Sequence, residues 1–189
     1  MGAPTTAPAP SAAMTEPNAP KNVYETRVSG LWQTRHEITD QEGDVGVLTL
    51  ERTWYGHVRK GVYRPAKGAV LTIERDPGLR RGTFSMWSEG REWLGSSERS
   101  GYVSRVFKIH TGGKPFHVVP LQGFTKGWGV HAPRTGEAAR IHAPWLGRNT
   151  RMEVYKRLDF TVLLFGYFLG YRSMVEAIAP GPAVHAGML

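Results

Sequence analysis

The 189-residue chain contains no cysteine. Disulfide cross-links and thiolate metal sites are therefore excluded, and the expected compartment is the cytoplasm. Carboxylates are missing from one long stretch. No Asp or Glu lies between Arg99 and Gly136, while Arg99, Arg105, Lys108, Lys114, Lys126 and Arg134 fall there. Residues 100–189 carry 11 basic and 4 acidic side chains, against 13 and 12 in residues 1–99, so the net charge of +8 sits mostly in the second half. A field of one sign attracts an anionic partner, either lipid headgroups or nucleic acid. The plainer alternative is a solubilising surface, because these charges are dispersed.

A third absence is a long apolar run. The longest uncharged greasy segment is Phe160–Tyr171, within LDFTVLLFGYFLGYRSM. Twelve helical residues rise about 18 Å, whereas a bilayer core needs about 30 Å, or roughly 20 apolar residues. The wider window 158–178 contains Asp159, Arg172 and Glu176. The segment is apolar on every side, with Thr161, Gly166 and Gly170 as the small or polar breaks, so it lacks the polar face of a surface helix. It reads as a helix over about 158–178, buried in protein and ended by Pro180, Gly181 and Pro182. Its expected core residues are Phe160, Leu163, Leu164, Phe165, Gly166, Phe168, Leu169 and Gly170. Gly166 and Gly170 would let a neighbouring wall approach the helix backbone. Two alternatives stay open: a small-xxx-small dimer face in a membrane, and a membrane tail anchor through 158–178.

Residues 1–22 are rich in Ala, Pro and Thr and too poor in apolar side chains to order themselves, so a disordered tail is expected. They lack the basic and apolar regions of a secretory signal, and Met14 is an alternative start. Residues 180–189 read as a flexible tail.

What is present is a rhythm. Turn glycines stand at Gly43, Gly56, Gly68, Gly78, Gly90, Gly101, Gly113, Gly123, Gly136 and Gly147, in steps of 10 to 13 residues. Between them lie short alternating segments. Leu71 and Ile73 alternate with Thr72 and Glu74, Phe84 and Met86 flank Ser85, Val103, Phe107 and Ile109 share a face, and Met152 and Val154 oppose Arg151 and Glu153. Such spacing predicts an antiparallel sandwich or barrel of about 10–12 strands. A helix that is apolar all round needs a wrapper, and a closed sheet also removes exposed edges. The expected fold is mainly β: a closed antiparallel barrel over residues 23–179 wrapped around one hydrophobic C-terminal helix.

RMEVYKRLDFTVLLFGYFLGYRSM at 151–174, an alternating strand running into an Asp-led apolar helix, and the strand–turn–strand ITDQEGDVGVLTL at 38–50 resemble the tubby-like superfamily. That group includes tubby domains, LURP-one-related proteins and phospholipid scramblases. The resemblance covers roughly residues 23–179 and is architectural. It implies a non-enzymatic barrel that binds anionic phospholipid, such as phosphoinositide headgroups, peripherally at a membrane surface. The cysteine-rich and acidic calcium segments of scramblases are missing here.

Chemistry is sparse. The seven histidines, His36, His57, His110, His117, His131, His142 and His185, form no metal-spaced pair. The two HAP triplets at 131–133 and 142–144 could bring two imidazoles together across a hairpin, although strand ends stopped by proline explain them as well. There is no G-x-S-x-G elbow in LGSSERSG, no phosphate loop in GGKPF, and Glu89 and Glu92 flank a turn. No cofactor cradle and no catalytic constellation emerges. The candidate headgroup ligands are Arg105, Lys108, Lys114 and Lys126. A second reading is a nucleic-acid-binding barrel that pairs these charges with the aromatics Trp87, Trp93, Tyr102, Phe107, Trp128 and Trp145, with Trp128 as the stacking residue.

Overall fold

The computed structural model describes residues 19–30, 33–53, 57–77, 83–101, 105–122, 127–143 and 149–178. Of the expected N-terminal tail over 1–22, residues 1–18, and with them Met14, lie outside the described residues, as does the expected tail over 180–189; Lys21 already bonds to Val154 and Asn22 opens the first strand.

Among the described residues, twelve strands precede one helix: β1 (Asn22–Ser29), β2 (Gln33–Thr39), β3 (Asp44–Arg52), β4 (Val58–Pro65), β5 (Leu71–Arg75), β6 (Phe84–Ser88), β7 (Trp93–Arg99), β8 (Phe107–His110), β9 (Phe116–Pro120), β10 (Gly127–Ala132), β11 (Gly136–His142), β12 (Asn149–Val154) and α1 (Phe160–Ile178). Each strand pairs antiparallel with its neighbours in sequence, and β1 pairs with β12 to close the barrel. Closure leaves no edge strand.

Alternation decides which side chains enter the interior. Leu48 and Leu50 of β3, Ile73 of β5, Phe84 and Met86 of β6, Phe107 and Ile109 of β8, and Met152 and Val154 of β12 are all buried. The turn before β3 is set by Asp40, whose carboxylate accepts from the Glu42 and Gly43 amides at 2.8 and 3.1 Å, while its own amide donates to the Gly43 carbonyl.

The helix runs inside the barrel, and every residue from Val162 to Gly170 is buried. Phe160 meets Tyr24 and Tyr63 where α1 begins, Phe168 packs edge-on to Phe84, and Tyr167 meets His36. Each large apolar side chain so buried contributes about 1.5–3 kcal/mol. The Asp159 carboxylate accepts from the Thr161 amide at 2.8 Å and caps the first turn. Gly166 lets Val130 and Val118 approach, and at Gly170 a Cβ would fall 2.7 Å from the Trp128 ring. The apolar surface that a tail anchor or a membrane dimer would use is therefore already covered by the barrel wall. No described helix is long and apolar enough to cross a membrane.

Candidate functional site: an arginine-lined barrel end

In an antiparallel meander the odd-numbered strands all finish at the same end. Here that is the end where α1 also finishes, since Arg52 and His57 meet the helix residues Tyr171 and Glu176. Three odd strands end in the same dipeptide: Glu51-Arg52 on β3, Glu74-Arg75 on β5 and Glu98-Arg99 on β7. Alternation separates the two charges. Arg99 continues the inward face of Ser97, Arg75 stands opposite the buried Phe84 with its own side chain exposed, and Arg52, after a bulge at Glu51, reaches inward to Tyr171, while the glutamates turn outward. Outside, Glu74 meets Lys60 at 2.6 Å and Glu98 lies 3.8 Å from His110. Long arginine stems can stay within the barrel while their heads reach its rim.

A fourth guanidinium rises from the helix. The Arg172 side chain is only 8% exposed, lies 4.5 Å over the Phe84 ring and donates through Nη2 to Glu176 Oε1 at 2.5 Å. His57 Nδ1 lies 3.6 Å from that same oxygen. Arg172 Nε is buried without a hydrogen-bond partner. Arg75 sits opposite Phe84 in the β5–β6 register, and Arg99 lies 5.9 Å over Phe107. Burial lowers the Arg172 pKa; Glu176 opposes that effect, and Arg75 and Arg99 reinforce it. The group nevertheless stays charged, as arginine does in proteins.

Beneath this end lies a buried polar chain. Arg52 Nη2 donates to the Tyr171 hydroxyl at 2.7 Å, and Tyr171 stands edge-on to His36. His36 Nδ1 is 2.6 Å from the Tyr167 hydroxyl, which also contacts Thr26. His36 Nε2 and Arg52 Nε have no partner. On the outer wall, Glu153 accepts from Arg151, His142 and Tyr155, and the Tyr155 bond leads in holding its carboxyl below the usual range. This is an ion-pair network without a nucleophile. Among the described residues no three His, Asp or Glu side chains are placed for a metal.

The basic residues singled out in the sequence are spread out rather than gathered. Arg105 is exposed just before β8, at the arginine end. Lys108 is on the outer wall, and Lys114 lies in the β8–β9 turn at the opposite end. Lys126 lies outside the described residues. His131 and His142 are not brought together, because His131 pairs with Glu137 and His117 while His142 pairs with Gly127 at the far end of the hairpin. Trp128, expected to stack on bases, is 8% exposed and packs on Gly170, so it belongs to the core. Phe107 is likewise core, whereas Trp87 is half-buried on the outer face opposite Trp93, which is 42% exposed. Of the three arginines that end these strands, only Arg99 belongs to the acid-free stretch. Their signal is a repeat, LTLER at 48–52 and LTIER at 71–75, with SSER at 96–99 after it. Steps of 23 and 24 residues return the chain to the same barrel end and the same face.

Comparison with protein-family models and with curated proteins finds no match. Among solved structures, the chain is similar to the X-ray structure of an Arabidopsis thaliana protein, AT5G01750, with a TM-score of 0.52 and 16% identity over 84% of this chain and 93% of that one. At that identity the likeness is one of fold.

Proposed function

We propose that this protein is a non-enzymatic, tubby-like barrel related to the LURP-one-related group, and that it binds anionic phospholipid peripherally at a membrane surface. The supporting observation is the arginine end. Arg75 and Arg99 lie at the same end as Arg172, Arg52 reaches the neighbouring helix residue Tyr171, and the glutamates beside all three turn away. Arg105 adds an exposed charge beside them. Clustered guanidiniums favour carboxylate and phosphate oxyanions, which their planar forks can grip bidentately.

The test is co-sedimentation of the full chain with neutral and anionic vesicles at low and physiological salt. Salt-sensitive binding to anionic vesicles alone is expected, falling about a hundredfold in a variant carrying R75A, R99A and R105A, since each charge near such a surface contributes about 1 kcal/mol. Unchanged binding by the triple variant overturns the assignment to this end. The nucleic-acid reading has lost its stacking tryptophan, and a flat titration with single-stranded oligonucleotides removes it.

A further inference from the structure

The rim arginines suffice for a diffuse attraction to a charged surface, but Arg172 does not fit that role. Its side chain is about nine-tenths buried, and it stands on the floor of the barrel end rather than on the outside. One face of its guanidinium lies against Phe84, one edge is taken by Glu176, and its Nε is buried and unpartnered. Glu176 is four residues further along the same helix, and its Oε1 also faces His57 at 3.6 Å. A single carboxylate oxygen is thus held by a buried guanidinium, with a histidine nearby. Arg75 stands opposite Phe84, the ring that Arg172 covers, and Arg99, at the end of the next odd strand, lies over Phe107.

We propose that Arg172, Arg75 and Arg99 form a seat for the terminal oxyanion of a phosphomonoester, and that Glu176 is the internal occupant which this ligand displaces. The proposal rests on the anionic-ligand reading above and gives it a ligand class and a regulator. A carboxylate carries one negative charge. A phosphomonoester carries about −1.5 to −2 at pH 7 with three strong acceptor oxygens. It can meet both the Nη edge and the unpartnered Nε of Arg172 and still present oxygens to Arg75 and Arg99. A phosphodiester has a lower charge and fewer free oxygens. The C-terminal end of α1 opposes any anion here with about half a negative charge, which is small against three guanidiniums. The displaced Glu176 carboxylate, whose side chain is 22% exposed, can turn toward solvent from the last turns of the helix. The ligand phosphate belongs either to a lipid headgroup or to a small soluble molecule.

Calorimetric titration of the full chain with inorganic phosphate tests the seat. Glu176→Gln is expected to tighten phosphate binding about tenfold, a coupling within the usual range for two groups competing at one site. The R75A and R99A double variant, which changes an exposed and a half-buried side chain, is expected to weaken it by about as much. Equal binding by wild type and Glu176→Gln, or no saturable phosphate binding by either, overturns the proposal. Vesicles carrying phosphatidic acid, a monoester, and phosphatidylglycerol, a diester, at equal surface charge distinguish the sources. Preference for phosphatidic acid that rises in Glu176→Gln assigns the seat to a lipid. Phosphate binding without vesicle binding keeps the seat for a soluble ligand and ends the membrane reading. Equal binding to both vesicles without phosphate binding leaves the membrane reading standing and ends the seat.

Discussion

His36 Nδ1 and the Tyr167 hydroxyl lie 2.6 Å apart inside the barrel, although 131 positions separate them in the chain. Burial, reinforced by Arg52, lowers the His36 pKa to about 3. The folded protein therefore holds the imidazole neutral, while the unfolded chain protonates it near pH 6.5. The unfolded state binds the extra proton between these values. Stability that is complete above about pH 6.5 is lost as pH falls toward 3, by up to about 1.4 kcal/mol per pH unit. Urea unfolding at pH 7, 5.5 and 4 measures that slope, and His36→Gln is expected to remove about one proton's worth of it. An identical slope in the variant contradicts this account.

Tyr167→Phe tests the same contact from the other side. It strips the hydroxyl from His36, which already has an unpartnered Nε2. Leaving a buried polar group unsatisfied costs about 1–3 kcal/mol. A fall in Tm of about 2–4 °C per kcal/mol is expected by calorimetry. An unchanged Tm means that water replaces the hydroxyl.

The two helix glycines should respond differently to alanine. At Gly166 the nearest atom to an added Cβ is Val130 Cγ2 at 3.2 Å, the end of a side chain that can shift slightly. At Gly170 the added Cβ falls 2.7 Å from two atoms of the Trp128 ring. Alanine gains about 1 kcal/mol of helix propensity at either site, against an overpacking cost of about 1–3 kcal/mol. Gly166→Ala is expected to be near neutral, and Gly170→Ala destabilising with altered tryptophan fluorescence. The reverse order in thermal melts contradicts the packing.

Asp159→Ala removes the helix cap. Its expected cost is about 1 kcal/mol, read by denaturant titration, with Asp159→Asn retaining most of the stability. If Asn is as costly as Ala, the 2.8 Å bond to Thr161 is not what holds this turn.

The barrel was legible because two periodicities coincide in the sequence. Turn glycines recur at the spacing of one strand and its turn, and Phe84/Met86 and Met152/Val154 alternate as inward pairs must. The helix was legible because a segment apolar on every side admits only an enclosed position. The site was harder to see for the same reason. Alternation marks Arg52, Arg75 and Arg99 as inward, but a charge at an inward position looks like the end of a strand until closure shows that three such ends meet. Lys108 and Lys114 were conspicuous because no acid lies nearby in sequence, yet proximity along the chain placed them at different heights of the wall. Trp128 was misjudged because nothing local reveals that its partner is a glycine 42 positions later.

The interior helix has a consequence for how the chain is made. The wall cannot close until β12 exists to pair with β1, a contact such as Thr26 with Thr150 that spans 124 positions. Even then the inward faces of twelve strands have nothing to cover them until residues 160–178 have been synthesised. Most of the protein must therefore wait, with its apolar faces uncovered, for the segment that emerges after all of its strands. Folding is expected to be completed only after residue 178 has emerged, to be slow because its decisive contacts are non-local, and to depend on whatever keeps the waiting strands from pairing with another chain.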